Sequence, residues 1–478
     1  MNKETRIQKI QSVIERDKDK PFGNIEIPWD GTLKPKDVFQ IPLQYLVYNK
    51  YNGRILSRTK SLERQNYIID VEADEGKKKI EELLWDSKVD RNKKTLESLK
   101  GGQQKVGIIT KDGVIIDGNR RAMLLNKLNP FGTFKAVVLD VTLEEDPLAI
   151  ERLETSFQMG EDEKVGYNAT EKYIKSKVLY KRLTQQDYSS NTKKHIPSIE
   201  AIKEIASWMG KTQTDVEDYL NTIEVMDEYL NYFDIDGIYT QLDDREDQFL
   251  NLTKWLNAFY NKEKNGKAFD GYTNGDVDDL KTISFDYIRI RPKYDGKEFR
   301  NLADGKKENH FFGDKEIWKS FSKYHFEKNA DINLDFEIDF NSPNLKKHLD
   351  DRDTKYFELT GGEDSFLFEN INIHKERIGY NRASEQPQKL IDKSLAALEA
   401  IKTNHTSFAK PEVQKQLEEL ANKVFSILPK KSPSRILSHI IILLEEFDVN
   451  KIQEAEKAEI QEKTKKIQKL GYEINKQL

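Results

Sequence analysis

The residues with the clearest chemistry lie in Val114-Ile-Ile-Asp-Gly-Asn-Arg-Arg-Ala-Met123. A β-branched run delivers the chain to Gly118, and a helical pattern opens at once. Backbone N–H groups at such a turn lack intrahelical partners, and a helix N-terminus carries partial positive charge. Gly118 lets a ligand approach the backbone closely. Asn119, Arg120 and Arg121 follow, and the two guanidiniums are forked donors suited to phosphate oxygens. The chemistry is anion binding. Taken alone, the motif is explained as well by a strand–helix junction with a surface arginine pair.

The elements that must position this turn are legible nearby. Val106-Gly-Ile-Ile-Thr-Lys-Asp-Gly-Val-Ile-Ile-Asp117 reads as a hairpin, because Asp-Gly accepts the positive φ of a tight turn. Asn119–Leu128 is expected to be helical, Lys135–Val141 a strand, and the chain helical from about Pro147. Upstream, 1–35 reads as a charged helix and a polar linker with turn chemistry in PWDGTLKP. Phe39–Tyr48 is short, apolar and β-rich, and helices are expected around Gly76–Asp86 and before Gly101.

Several segments occur in an order that resembles the ParB/sulfiredoxin superfamily, from about residue 40 to 230. Gly118-Asn119-Arg120-Arg121 is similar to that family's GERR-like element. Glu154-Thr155-Ser156-Phe157-Gln158 resembles its ENxxR-like element. Asn49-Lys-Tyr-Asn-Gly-Arg54 resembles its NPxQPR-like segment, and Gly102-Gln-Gln-Lys-Val106 the stretch bordering the base. The resemblance implies a site for ATP or CTP with magnesium. Arg54, Gln104, Gly118, Asn119, Arg120, Arg121, Thr155 and Gln158 would contact nucleotide, and Glu154 would hold the metal and serve catalysis. The family's Asn is Thr155 here and its Arg is Gln158, which brings no charge.

A helix-turn-helix pattern follows over 198–230. Ile199, Ile202, Ile205, Ala206 and Met209 form one stripe, Gly210 ends that helix, and Thr212 caps the next. Lys203, Lys211 and Gln213 are its candidate DNA contacts. Asp215, Glu217 and Asp218 stand where a reader of bases needs donors, so a structural or protein-binding role is favoured.

Composition bounds the rest. With 78 basic against 83 acidic residues the net charge is −5, so any DNA contact is local and salt-dependent. The chain has no cysteine, which excludes disulfides and thiolate metal sites. Its N-terminus is charged and no apolar run could span a bilayer, so a cytoplasmic protein without membrane contact is expected. Histidines such as His195, His310, His325 and His374 are scattered, and the acidic clusters at 243–247 and 276–279 read as solvated loops.

The expected fold class is α+β. Its parts are an N-terminal helix and linker (1–35), a ParB/sulfiredoxin-like nucleotide-binding domain (36–150), and a helical helix-turn-helix region (151–232). A mixed α+β domain (233–384) and a helical C-terminal region (385–478) complete it. The mixed assignment rests on strand-like ISFDYIRIRP and INLDFEIDF, the first including a basic strand, Arg289–Lys293. The C-terminal helices are candidates for self-association or a protein partner. Three readings stay open: a nucleotide-hydrolysing, DNA-associated switch; a non-catalytic sensor; and a ParB-like nuclease. The charge and the extra domain suggest a specialised relative, as in a mobile-element or phage-defence system.

Overall fold

The computed structural model describes residues 1–29, 31–159, 169–190, 196–262, 265–384, 386–427 and 432–478. Met1–Glu385 forms one compact unit and Gln386–Leu478 a second.

The chain begins with α1 (Lys3–Asp17), capped by Asn2, whose Oδ1 accepts the Thr5 N–H. The expected linker is in fact a hairpin. β1 (Gly23–Trp29) pairs antiparallel with β2 (Thr32–Pro42), with Trp29 opposite Thr32. The turn chemistry at PWDGT was read correctly, but its flanks are polar and half-exposed, so the strands carried little hydrophobic signal. Helices α2 (Leu56–Arg64), α3 (Asp74–Asp86) and α4 (Val89–Leu99) follow. Then come β3 (Gly107–Ile109), β4 (Ile115–Asp117), α5 (Asn119–Leu128) and β5 (Thr133–Val138). The sheet order is β1-β2-β5-β3-β4, with β3 and β5 parallel and the other neighbours antiparallel.

Both sheet faces are covered, and the side-chain period of two sorts them. Phe39, Ile41, Ile109, Ile115 and Ala136 pack with Ile10, Val13, Ile80 and Met123 on one face. Val38, Ile108, Ile116 and Val137 pack with Ile150 and Leu153 on the other. Arg6, buried on α1, holds the hairpin that leads to the Gly118 turn. It donates to the Asp112 carbonyl and forms a bidentate pair with Glu72 at 2.6 and 2.7 Å.

The rest of the first unit is helical. α6 (Pro147–Met159) and α7 (Ala169–Thr184) lead to α8 (Ile199–Met209) and α9 (Gln213–Tyr232). The local expectations for α8 and α9 hold. Gly210 takes the left-handed conformation at the end of α8, and Thr212 caps α9 in a reciprocal capping box with Asp215. Then follow α10 (Glu246–Phe259), α11 (Asn274–Arg289), α12 (Lys315–Ala330), α13 (Leu345–Leu359) and α14 (Phe366–Arg382).

The mixed α+β assignment for 233–384 is corrected: the described residues there contain no strand. ISFDYIR is the end of α11. Every residue from Ile283 to Arg289 is buried, so no polar face breaks the run and the helical period is hidden. INLDFEIDF is extended but unpaired. Ile332, Leu334, Ile338 and Phe340 pack on the helical core while alternate residues point to solvent, so the period of two is real without a ladder.

The second unit comprises α15 (Pro387–Glu399), α16 (Pro411–Ile427), α17 (Pro433–Glu445) and α18 (Lys457–Gln477). None of its described residues is buried, and Ile440, Ile441 and Leu444 of α17 stay exposed. No described helix of the chain is long and apolar enough to cross a membrane.

Candidate functional site

The turn from β4 into α5 opens one wall of a cleft of about 280 Å³. Gly118, at φ +102°, caps α5 and offers no side-chain acceptor, so the first N–H groups of the helix keep their hydrogen-bonding capacity. A Cβ on Gly118 would sit 2.7 Å from Phe134 Cζ and 3.1 Å from an Arg121 Nη. Gly118→Ala combines the left-handed strain, about 1–2 kcal/mol, with overpacking of about 1–3 kcal/mol. It is therefore expected to lower the urea midpoint of unfolding markedly. An unchanged midpoint would show that the turn tolerates a side chain.

The cleft brings together Arg54, Gly118, Asn119, Arg120, Arg121 and Gln158, all singled out in the sequence. It adds Asn52, Thr95, Lys105 and Asp117. Asn52 and Lys105 lie inside segments that carried the resemblance. Thr95 comes from α4, the helix expected before Gly101, but nothing in the sequence marked it as a site residue.

The side chains differ in how fully their polar atoms are engaged. Asn119 is a brace: its Oδ1 accepts the Asn49 N–H at 2.9 Å and its Nδ2 donates to the Ile115 carbonyl at 2.8 Å. It thereby fastens the 49–54 loop to the helix turn. Arg121 is likewise engaged, donating to Asp117 at 2.6 Å and to the Val106 carbonyl at 3.3 Å. Arg120 differs. Its Nη2 makes a long hydrogen bond, 3.4 Å to Ser87 Oγ, and its buried Nε has no partner. Burial, then the positive charges of Arg54 and Arg91, push its guanidinium down to about 10. An anion would relieve both the desolvation and the repulsion.

Gln158 reaches the cleft from α6 and is 2% exposed. Its Nε2 donates to the Ile116 carbonyl at 3.3 Å, while its Oε1 has no partner. Thr155, one turn earlier, is buried with an unpartnered Oγ1 but does not line the cleft.

The structure places the other candidate residues outside this cleft. Gln104 is exposed and lies outside the cleft lining; its neighbour Gln103 is the buried one, bridging Lys105 and Lys135 backbone groups. Glu154 is 3% exposed and lies behind the 49–54 loop. Its carboxylate accepts from Asn52 Nδ2 at 3.3 Å, the Gly53 N–H at 3.3 Å and Lys175 Nζ at 3.2 Å. It lines a separate cavity of about 440 Å³ with Lys60, Lys175 and Tyr51. Glu154 is thus a clamp on the loop that carries Arg54. Glu171 of α7 does the same for α2, accepting the Ser57 N–H and hydroxyl, and burial pushes its carboxyl up to about 7.

Lys203 is exposed on the body of α8, and Lys211 and Gln213 are exposed at the turn into α9. Thr222 to Leu230 contribute six buried residues to the core, while Glu228, Asn231 and Tyr232 of the same helix are exposed. Asp215 is consumed by the capping box. The expected basic strand at Arg289–Lys293 is a helix end and a 3-10 turn, with Arg289 buried against Asp353 at 2.8 Å. His195 lies outside the described residues. His325 pairs with Asp286 and His374 with Asn370 and Ser320, so no cluster of histidines forms among them.

Magnesium, which the resemblance implies, seeks oxygen ligands and usually one or two carboxylates. Asp117 is the one carboxylate lining the cleft among the described residues, and Arg121 holds it. No group of three His, Cys, Asp or Glu able to hold a metal occurs among them. The donor set does not fit a protein-held magnesium.

Comparison with protein-family models, with curated proteins and with solved structures finds no match for this chain.

Proposed function

We propose that the cleft binds the phosphates of a nucleotide, ATP or CTP, and that the protein is a nucleotide sensor in which binding, rather than hydrolysis, is the event used. The observation that carries this reading is Arg120, a desolvated guanidinium with an unpartnered Nε beside a helix N-terminus that no side chain caps. The assignment of Glu154 to a structural ion pair favours binding over turnover. Ligand contact at Arg54 would load the 49–54 loop, and Glu154 ties that loop to α6 and α7, which gives binding a route to the helical region. DNA is a secondary partner in this reading, held weakly through Lys203, Lys211 and Gln213. The exposed apolar helices of Gln386–Leu478 suit a second copy or a protein partner.

Isothermal titration of the full chain with ATP and CTP tests the site. Arg120→Ala is expected to weaken binding by about 2 kcal/mol, or about 30-fold, the scale of a charge-assisted hydrogen bond. Unchanged affinity in the folded variant would overturn the phosphate assignment. Sustained release of phosphate by the wild type would replace the sensor reading with that of an enzyme.

A further inference from the structure

The form in which the ligand arrives can be inferred, resting on the phosphate-site reading. We infer that the cleft takes its nucleotide as the free polyanion without magnesium, its charge neutralised by guanidiniums and the helix N-terminus, and that Gln158 selects a nucleotide over inorganic polyphosphate.

The first part follows from the balance of charge. Arg120 feels the charges of Arg54 and Arg91, and Lys105 stands on the rim. A dication brought into this group is repelled by every one of them, whereas an uncomplexed phosphate chain is attracted by all. Two oxygen donors that could have held the metal are spent elsewhere: Asp117 on Arg121, and Glu154 on Lys175 and the Gly53 N–H. In a site where arginines already neutralise phosphate charge, magnesium adds repulsion without gaining ligands.

The second part follows from Gln158. With Nε2 committed to the Ile116 carbonyl, the amide cannot turn over without losing that bond. Its Oε1 is therefore held as an acceptor, buried and unpartnered. A buried acceptor left unmatched is costly, and a ligand that brings a donor recovers that cost. Fully ionised phosphates carry acceptors only. A ribose hydroxyl or a base amino group supplies the missing donor, so the acceptor separates a nucleotide from tripolyphosphate.

The experiment is titration calorimetry of the full chain with ATP, CTP and sodium tripolyphosphate, each in EDTA and in excess magnesium. Binding in EDTA is expected, weakened roughly tenfold by magnesium, with a nucleotide bound more tightly than tripolyphosphate. Gln158→Ala should narrow the nucleotide preference, weakening nucleotide binding by a larger factor than tripolyphosphate binding. Binding that appears only with magnesium would overturn the inference and leave the phosphate site standing. An unchanged preference in folded Gln158→Ala would overturn the selecting role. Absence of binding by all ligands in both conditions would remove the phosphate-site reading itself.

Discussion

Replacing Glu154 with alanine is expected to destabilise the protein by about 3 kcal/mol, because it strands a buried lysine. Lys175 is 2% exposed and Glu154 Oε2 is its near partner, at 3.2 Å. Truncation also removes the acceptor for Asn52 and the Gly53 N–H. The effect falls at the lower end of the usual range for broken buried pairs, since Glu151 lies 4.0 Å from the same ammonium. Burial raises the Glu154 carboxyl above its ordinary range, and the nearby Lys175 charge works against that shift. The double variant Glu154→Gln with Lys175→Met removes both charges and keeps an acceptor for Gly53. It should recover most of the stability, because a buried pair is often no better than its uncharged replacement. Urea denaturation of the three proteins checks this. A Glu154→Ala variant as stable as the wild type but unable to turn over nucleotide would restore the catalytic role.

Asp353→Ala is expected to have the largest effect on the first unit, about 4 kcal/mol or more. One carboxylate there serves three buried guanidiniums. Arg289 Nε donates to it at 2.8 Å, Arg352 Nη2 at 3.1 Å, and Arg245 approaches at 3.6 Å. These residues come from the start of α10, the end of α11 and the body of α13, so one side chain ties three elements. Arg289 also lies over the rings of Phe233 and Tyr356, at 4.9 and 4.2 Å. Removing the carboxylate leaves like charges facing one another with no counterion. Asp353→Asn, which keeps an acceptor, should lose less. The check is the denaturation midpoint at constant m-value. A loss under about 1 kcal/mol for Asp353→Ala would mean that solvent in the cleft lined by Arg245, Arg289 and Asp353 screens the arginines, as it does at exposed pairs.

The elements that were legible in the sequence are those governed by one or two residues. Lys111-Asp112-Gly113 makes its hairpin because Gly113 tolerates φ +82°. Gly118 starts α5 for the same reason, and Gly210 and Thr212 mark the ends of α8 and α9. Of the eight residues expected to contact nucleotide, six line one cleft, because the strand–helix turn, the 49–54 loop and α6 were each placed by local signals; Gln104 and Thr155 do not.

What the sequence determined by itself is therefore a set of backbone conformations and alternating faces: where φ must be positive, where a helix can be capped, which side of a strand is apolar. Those properties depend on neighbours within a few residues. Only the tertiary structure decided the partners. It gave Arg121 to Asp117, Glu154 to Lys175 and Gln103 to the β5 backbone, and it left Arg120 Nε and Gln158 Oε1 without any. It also made ISFDYIR a helix buried on all sides and INLDFEIDF an extended segment without a ladder. The physical reason is shared. Desolvation and pairing are set by whatever distant chain packs against a side chain, and a local pattern carries no record of that.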